Sequence, residues 1–105
     1  MSRFQPGQVW QYKTRRGEEL SRLTIAEVES HPKLGTIVHI QIKDVAIKSP
    51  TAPEGVSKVI SHLPYSEQSL TDSVTIMEKE TVSPTGWEEG YKLWRSAFDA
   101  GKAGI

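Results

Sequence analysis

The sequence predicts an α+β fold: a strongly bent antiparallel sheet, or partial barrel, of four to five strands, followed by two C-terminal helices. Three observations carry this expectation. Residues 1–64 alternate apolar and polar positions with period two between turns marked by glycine and proline. Beyond Pro64 the apolar residues take a helical period, so residues 65–101 read as helical. The strand-rich part precedes the helical part instead of alternating with it, which is the order of α+β chains and not of βαβ units. At 105 residues the chain has the length of a single domain.

The first strand is QVWQYKT, in which Trp10 and Tyr12 share the core face while Gln11 and Lys13 point the other way. RRGEE supplies a turn, with Gly17 free to take a positive φ. The return strand SRLTIAEVE places Leu23 and Ile25 on one face and then Ala26 and Val28, a change of phase that predicts a bulge or bend near Ala26. SHPKLG forms the second turn. TIVHIQIKDVAIK is the clearest strand, with Val38, Ile40 and Ile42 buried and His39, Gln41 and Lys43 looking outward. Its phase shifts around Asp44, as in a strand that curls. SPTAPEG is a loop, and VSKVISHLP a fourth strand ended by Pro64.

YSEQSLTDSVTIMEKE predicts a first helix capped by Ser66, with Leu70, Val74 and Met77 in one apolar stripe. The serines and threonines between them are indifferent helix formers, so packing must hold this helix. TGWEEGYKLWRSAFDAG predicts a second helix, opened by a Thr85–Glu88 capping box and ended at Gly101. Its Trp87, Tyr91, Trp94 and Phe98 fall within ~60° of arc. Four aromatics in one column are expected to seal the helix onto the sheet near Phe4, Trp10 and Tyr12. Gly90 within this helix allows close approach of its backbone to the sheet.

Composition excludes several function classes. Without cysteine there is no disulfide framework, thiolate metal site or thiol nucleophile. The opening MSRFQPGQ has no apolar run of the secretory kind, and TIVHIQI is far shorter than the ~20 residues that span a bilayer, so a soluble, cytoplasmic protein is expected. Net charge is zero, with residues 1–60 at +3 (nine Lys/Arg, six Asp/Glu) and residues 61–105 at −3 (four and seven).

The side chains capable of chemistry form no catalytic signature. His31, His39 and His62 lack metal-ligand spacing, and hydrogen-bonded or surface histidines are expected, with His39 and His62 candidate cross-strand neighbours. No desolvatable carboxylate pair and no nucleophile elbow appears. No cofactor is implied. Lys13, Arg15 and Arg16 cluster at the first turn, where Glu18 and Glu19 can neutralise them.

Four blocks, FQPGQVWQYKTRRGEELSRLTI, GTIVHIQI, SHLPYS and YKLWRSAFDAGKAGI, resemble a family of small bacterial single-domain proteins, and the resemblance spans nearly the whole chain. It implies no activity, substrate or site residue. The entry PGQVW also resembles the first strand of SH3-like small barrels, which host many unrelated functions.

The expected function is therefore a small cytoplasmic binding domain that contacts another protein. Its contact candidates are Lys13, Arg15, Arg16, His39, Gln41 and Lys43. A nucleic-acid module using Lys13, Arg15, Arg16 and Lys43 is the first alternative, although a pI near 6.8 argues against it. The second is a small enzyme or ligand-binding protein, which requires a pocket between sheet and helices holding convergent ionisable groups.

Overall fold

Period-two alternation becomes strands in the order read from the sequence. The computed structural model describes residues 3–14, 16–48, 56–79 and 82–105. Their elements are β1 (Val9–Tyr12), β2 (Arg22–His31), β3 (Gly35–Lys48), β4 (Val56–Ser66), α1 (Glu67–Ser73), β5 (Val74–Lys79) and α2 (Glu88–Asp99). Antiparallel pairing gives one five-stranded sheet in the order β4-β3-β2-β1-β5, open at β4 and β5. Strands 1 to 4 form a meander, and α1 carries the chain across to the far edge. The α+β class stands. Of the described helices none is long and apolar enough to cross a membrane.

Both expected changes of phase are bulges. Ile25 pairs with Ile40 and Glu27 with His39, so Ala26 is the extra residue. The bulge moves Leu23, Ile25 and Val28 to one face and Arg22, Thr24, Glu27 and Glu29 to the other. In β3 the register with β4 breaks between Lys43 and Ile47, where Asp44 takes a φ of 60°. A further shift, between Ile40 and Ile42, gives β4 one residue more than β3 needs; His62, two residues from Pro64, which pairs with His39, lies on the face of His39.

The apolar core occupies the first face. Trp10, Leu23, Ile25, Val38 and Ile40 pack there with Phe4 and with Leu70 from α1, and Tyr12 lies against them. Ser66 caps α1 as expected, its hydroxyl accepting from Ser69 N–H. Two polar clusters at the core margin are paired. Gln8 Oε1 accepts from Trp10 Nε1–H at 3.0 Å, and Tyr12 OH donates to Ser21 Oγ at 2.6 Å while Ser21 donates to the Lys43 carbonyl.

Four expectations are corrected. The helix expected through Met77 stops at Ser73, and Val74–Lys79 becomes β5, inside the part read as helical. Val74, Thr75 and Ile76 are consecutive β-branched residues, poor in a helix, and the open edge of β1 offers backbone partners. Pro64 does not end β4, because β4 lies at the sheet edge, where a missing N–H is tolerated. Helix α2 begins at Glu88 with no side-chain cap, in place of the Thr85–Glu88 box. Its end is as expected: Gly101, at φ 74°, and Lys102 donate to the Phe98 and Ala97 carbonyls.

The fourth correction concerns the aromatic stripe. It does not meet Phe4, Trp10 and Tyr12, and α2 contains no buried residue. It covers the second face of the sheet, against histidines: Phe98 on His31, Tyr91 and Trp94 on His39 and His62. His39 and Gln41, expected to look outward, are therefore 0% and 3% exposed.

Candidate functional site

The second face carries two features, a row of ionisable groups beneath α2 and an open cleft beside it. The row follows from register. His39 on β3 pairs with Glu27, and the bulge at Ala26 brings Glu29 to the same face. His39 Nε2 stands 2.6 Å from Glu29 Oε1, and His39 Nδ1 stands 2.8 Å from His62 Nε2. A carboxylate only accepts, so the hydrogen on His39 is at Nε2. Neutral His39 then offers Nδ1 as an acceptor, and His62 donates its Nε2–H. The two rings stack at 5.0 Å with 20° between their planes.

Helix α2 closes the row. Arg95 Nη1 donates to Glu29 Oε2 at 3.0 Å, and Tyr91 OH lies 3.3 Å from the same oxygen. Gly90 sits directly on His62, as its place in the helix suggested: a Cβ there would lie 2.9 Å from His62 Cβ.

The electrostatics reflect this covering. Burial holds His39 below the ordinary imidazole value, against the pull of the Glu29 carboxylate. Burial, reinforced by His39, pushes His62 down to about 4. Burial and then the Glu29 charge push the Tyr91 phenol up. Both imidazoles are thus neutral at pH 7. The row has the order of a charge relay, but its inner ring is buried and faces another imidazole instead of a nucleophile. Among the described residues no group of three side chains is placed to hold a metal.

The cleft lies on the same face, toward β1 and β5. It encloses about 400 Å³ and is lined by Val9, Leu20, Arg22, Thr24, Lys43, Asp44, Glu78 and Val82. Arg22 and Lys43 stand directly opposite each other across β2 and β3, a like-charged pair that is unfavourable by itself. Glu78 on β5 forms an ion pair with Arg22. Lys43 is exposed and makes no ion pair among the described residues. Asp44 is the one described non-glycine residue with a positive φ, and its bulge turns the chain at the cleft wall. Leu20, at 79% exposure, forms the rim.

The six contact candidates are therefore scattered. Lys43 lines the cleft. Lys13 and Arg16 are exposed near the β1–β2 turn, where Glu19 accepts from Gly17 N–H. His39 lies beneath α2, and Gln41 lies beneath the segment that leads into it, where its amide donates to the Thr85 carbonyl and its Oε1 has no partner among the described residues. Arg15 and the expected loop SPTAPEG (49–55) lie outside the described residues. Sequence reasoning missed Glu29 and Arg95. The bulge at Ala26 carried the signal for Glu29, because it aligns Glu27 and Glu29 with His39. No family model, curated protein or solved structure matches this chain.

Proposed function

We propose that the chain is a small binding domain that holds an extended, carboxylate-bearing segment of another protein in the cleft beside β5. The observation that carries this reading is a cation with no ion pair among the described residues: Lys43 faces Arg22 across the strands, and Glu78 pairs with Arg22. A carboxylate from a partner completes the pairing and relieves the like-charge contact. Apolar Val9, Leu20 and Val82 give the same segment something to bury. Asp44 and Glu78 in the lining disfavour a polyanion, so a nucleic acid is not the occupant this lining supports.

A photo-reactive residue placed at Leu20 tests the proposal in lysate of the source cells, with Leu34 as the control. Leu34 is 45% exposed and lies in the turn at the opposite end of β2. A protein adduct at position 20, absent at 34 and abolished by Lys43→Glu, is expected, with an acidic side chain or chain terminus in the cross-linked peptide. An adduct indifferent to Lys43→Glu, or found only at 34, overturns the reading.

A further inference from the structure

The histidine row is larger than a helix anchor requires. An apolar face would hold α2 without exposing the interface to protons. Here the described contacts of α2 with the sheet instead converge on ionisable groups from three strands. Glu29 comes from β2, His39 from β3 and His62 from β4, while α2 itself brings Tyr91 and Arg95, and Glu27 of β2 acts on His39 through its charge. Arg95 is also bound to Asp99 on its own helix, at 3.2 Å. Beyond them His31 meets Phe98.

Glu29 accepts from His39, and His39 accepts from His62. A proton added at His39 Nδ1 keeps the 2.8 Å contact only if His62 moves its own hydrogen to Nδ1, and it lodges a charge on a fully buried ring beneath Tyr91 and Trp94. A proton added at His62 Nδ1 keeps that bond but lodges a charge beneath α2, with the Gly90 backbone pressed on the side chain. The covering helix makes both additions unfavourable, and protons therefore favour the state in which it is absent. We propose that the His39–His62 pair makes the docking of α2 depend on pH: acidification loads the pair with protons and releases α2 from the sheet while the core stays folded.

The two faces make such a separation possible. The core cluster of Trp10, Leu23, Ile25, Val38, Ile40 and Leu70 lies on the side opposite α2, and none of its members belongs to that helix. The depressed proton affinities of both imidazoles agree with this geometry. They set the direction of the switch: α2 is docked at neutral pH and released as the pH falls. Release uncovers His39, Gln41 and Glu29 on a face continuous with the cleft through the Thr24–Gln41 and Arg22–Lys43 pairs.

Two indoles report the two faces separately. Trp94 packs on His39, and its Nε1–H donates to the Gly104 carbonyl, whereas Trp10 Nε1–H donates to Gln8 in the core. Indole ¹H–¹⁵N spectra of the full chain from pH 7.5 to 4.0 are expected to show Trp94 moving to its free-chain position while Trp10 stays. The open population should rise ~10-fold per pH unit for one proton and up to ~100-fold for two. His62→Gln should remove one proton from that slope. Phe98→Ala, which removes the contact of α2 with His31 and leaves Glu29, His39 and His62 their partners, should move the transition to higher pH and keep its slope. A Trp94 signal unchanged at pH 4.0 overturns the inference. So does movement of Trp94 together with Trp10, or a midpoint unaffected by Phe98→Ala. Should His62→Gln already be open at pH 7.5, the Phe98→Ala titration decides.

Discussion

Replacing Gly90 by alanine sets two well-calibrated effects against each other. In an exposed helix the change stabilises by about 1 kcal/mol, because alanine has the higher helix propensity. On this α2 the added methyl lies 2.9 Å from His62 Cβ, and 3.6 Å from both His62 Cγ and Ser61 Oγ. Carbon atoms rest about 3.5–4.0 Å apart, so α2 and β4 must part by roughly 0.6–1.1 Å. Both clashing atoms are β-carbons fixed to backbone, and no rotamer relieves them. The separation also opens the ring contacts of His39 with Tyr91 and Trp94, at 4.7 and 5.0 Å. Overpacking of this kind costs about 1–3 kcal/mol. The net expectation is a loss of up to about 2 kcal/mol in urea denaturation at pH 7.5, even though a peptide spanning residues 82–105 gains helicity from the same change. A folded chain stabilised by about 1 kcal/mol would refute the reasoning, since it would mean that α2 does not rest on His62.

Other expectations concern the core, the cations, the pH profile and the cleft. Trp10→Ala should cost about 3–5 kcal/mol in denaturant unfolding, the range for a buried aromatic, whereas Arg16→Glu should change stability by under about 0.5 kcal/mol. Because His39 and His62 titrate below their ordinary value when folded, the unfolded chain takes up protons first as the pH drops. Stability should then be full above about pH 6.5 and decline below it, by up to about 1.4 kcal/mol per pH unit for His62 down to about pH 4, with His39 adding to the loss in the same direction, as read from urea midpoints; a gain in stability toward acid would contradict this. Gln41→Met removes the bond to Thr85 together with an unpartnered acceptor, and calorimetry should find a shift below about 1 kcal/mol. Lys43→Glu should leave the melting temperature nearly unchanged while abolishing the cross-link at position 20.

How far the fold was legible depended on whether a local pattern had a competitor. Val38, Ile40 and Ile42 had none, and their alternation placed the core. Ala26 and Asp44 broke the alternation, and both breaks became bulges. Gly101 ended α2 where a left-handed residue was needed. By contrast, Leu70, Val74 and Met77 fit a helix and a helix-then-strand equally well. The free edge of β1, a property of the assembled sheet, decided for β5.

The site was less legible than the fold. An alternating strand states which residues share a face but not whether that face meets water. His39 and Gln41 fall on the side opposite the apolar residues, and that side is covered. The aromatic stripe was the available clue, because four rings on one helix require a surface, and the apolar surface was already filled by Leu70 and Trp10. Glu29 and Arg95 are 66 residues apart, and only the packing of α2 on the assembled sheet brings them together.

The central claim is that the second face of the sheet is closed by a single-file row of neutral imidazoles running from Glu29 through His39 to His62. Imidazole ¹H–¹⁵N correlation spectra at pH 7 test it most directly. Both rings should carry their hydrogen on Nε2, neither should be doubly protonated, and a coupling should cross from His62 Nε2–H to His39 Nδ1. A hydrogen on His39 Nδ1, or an imidazolium at either position, would contradict it.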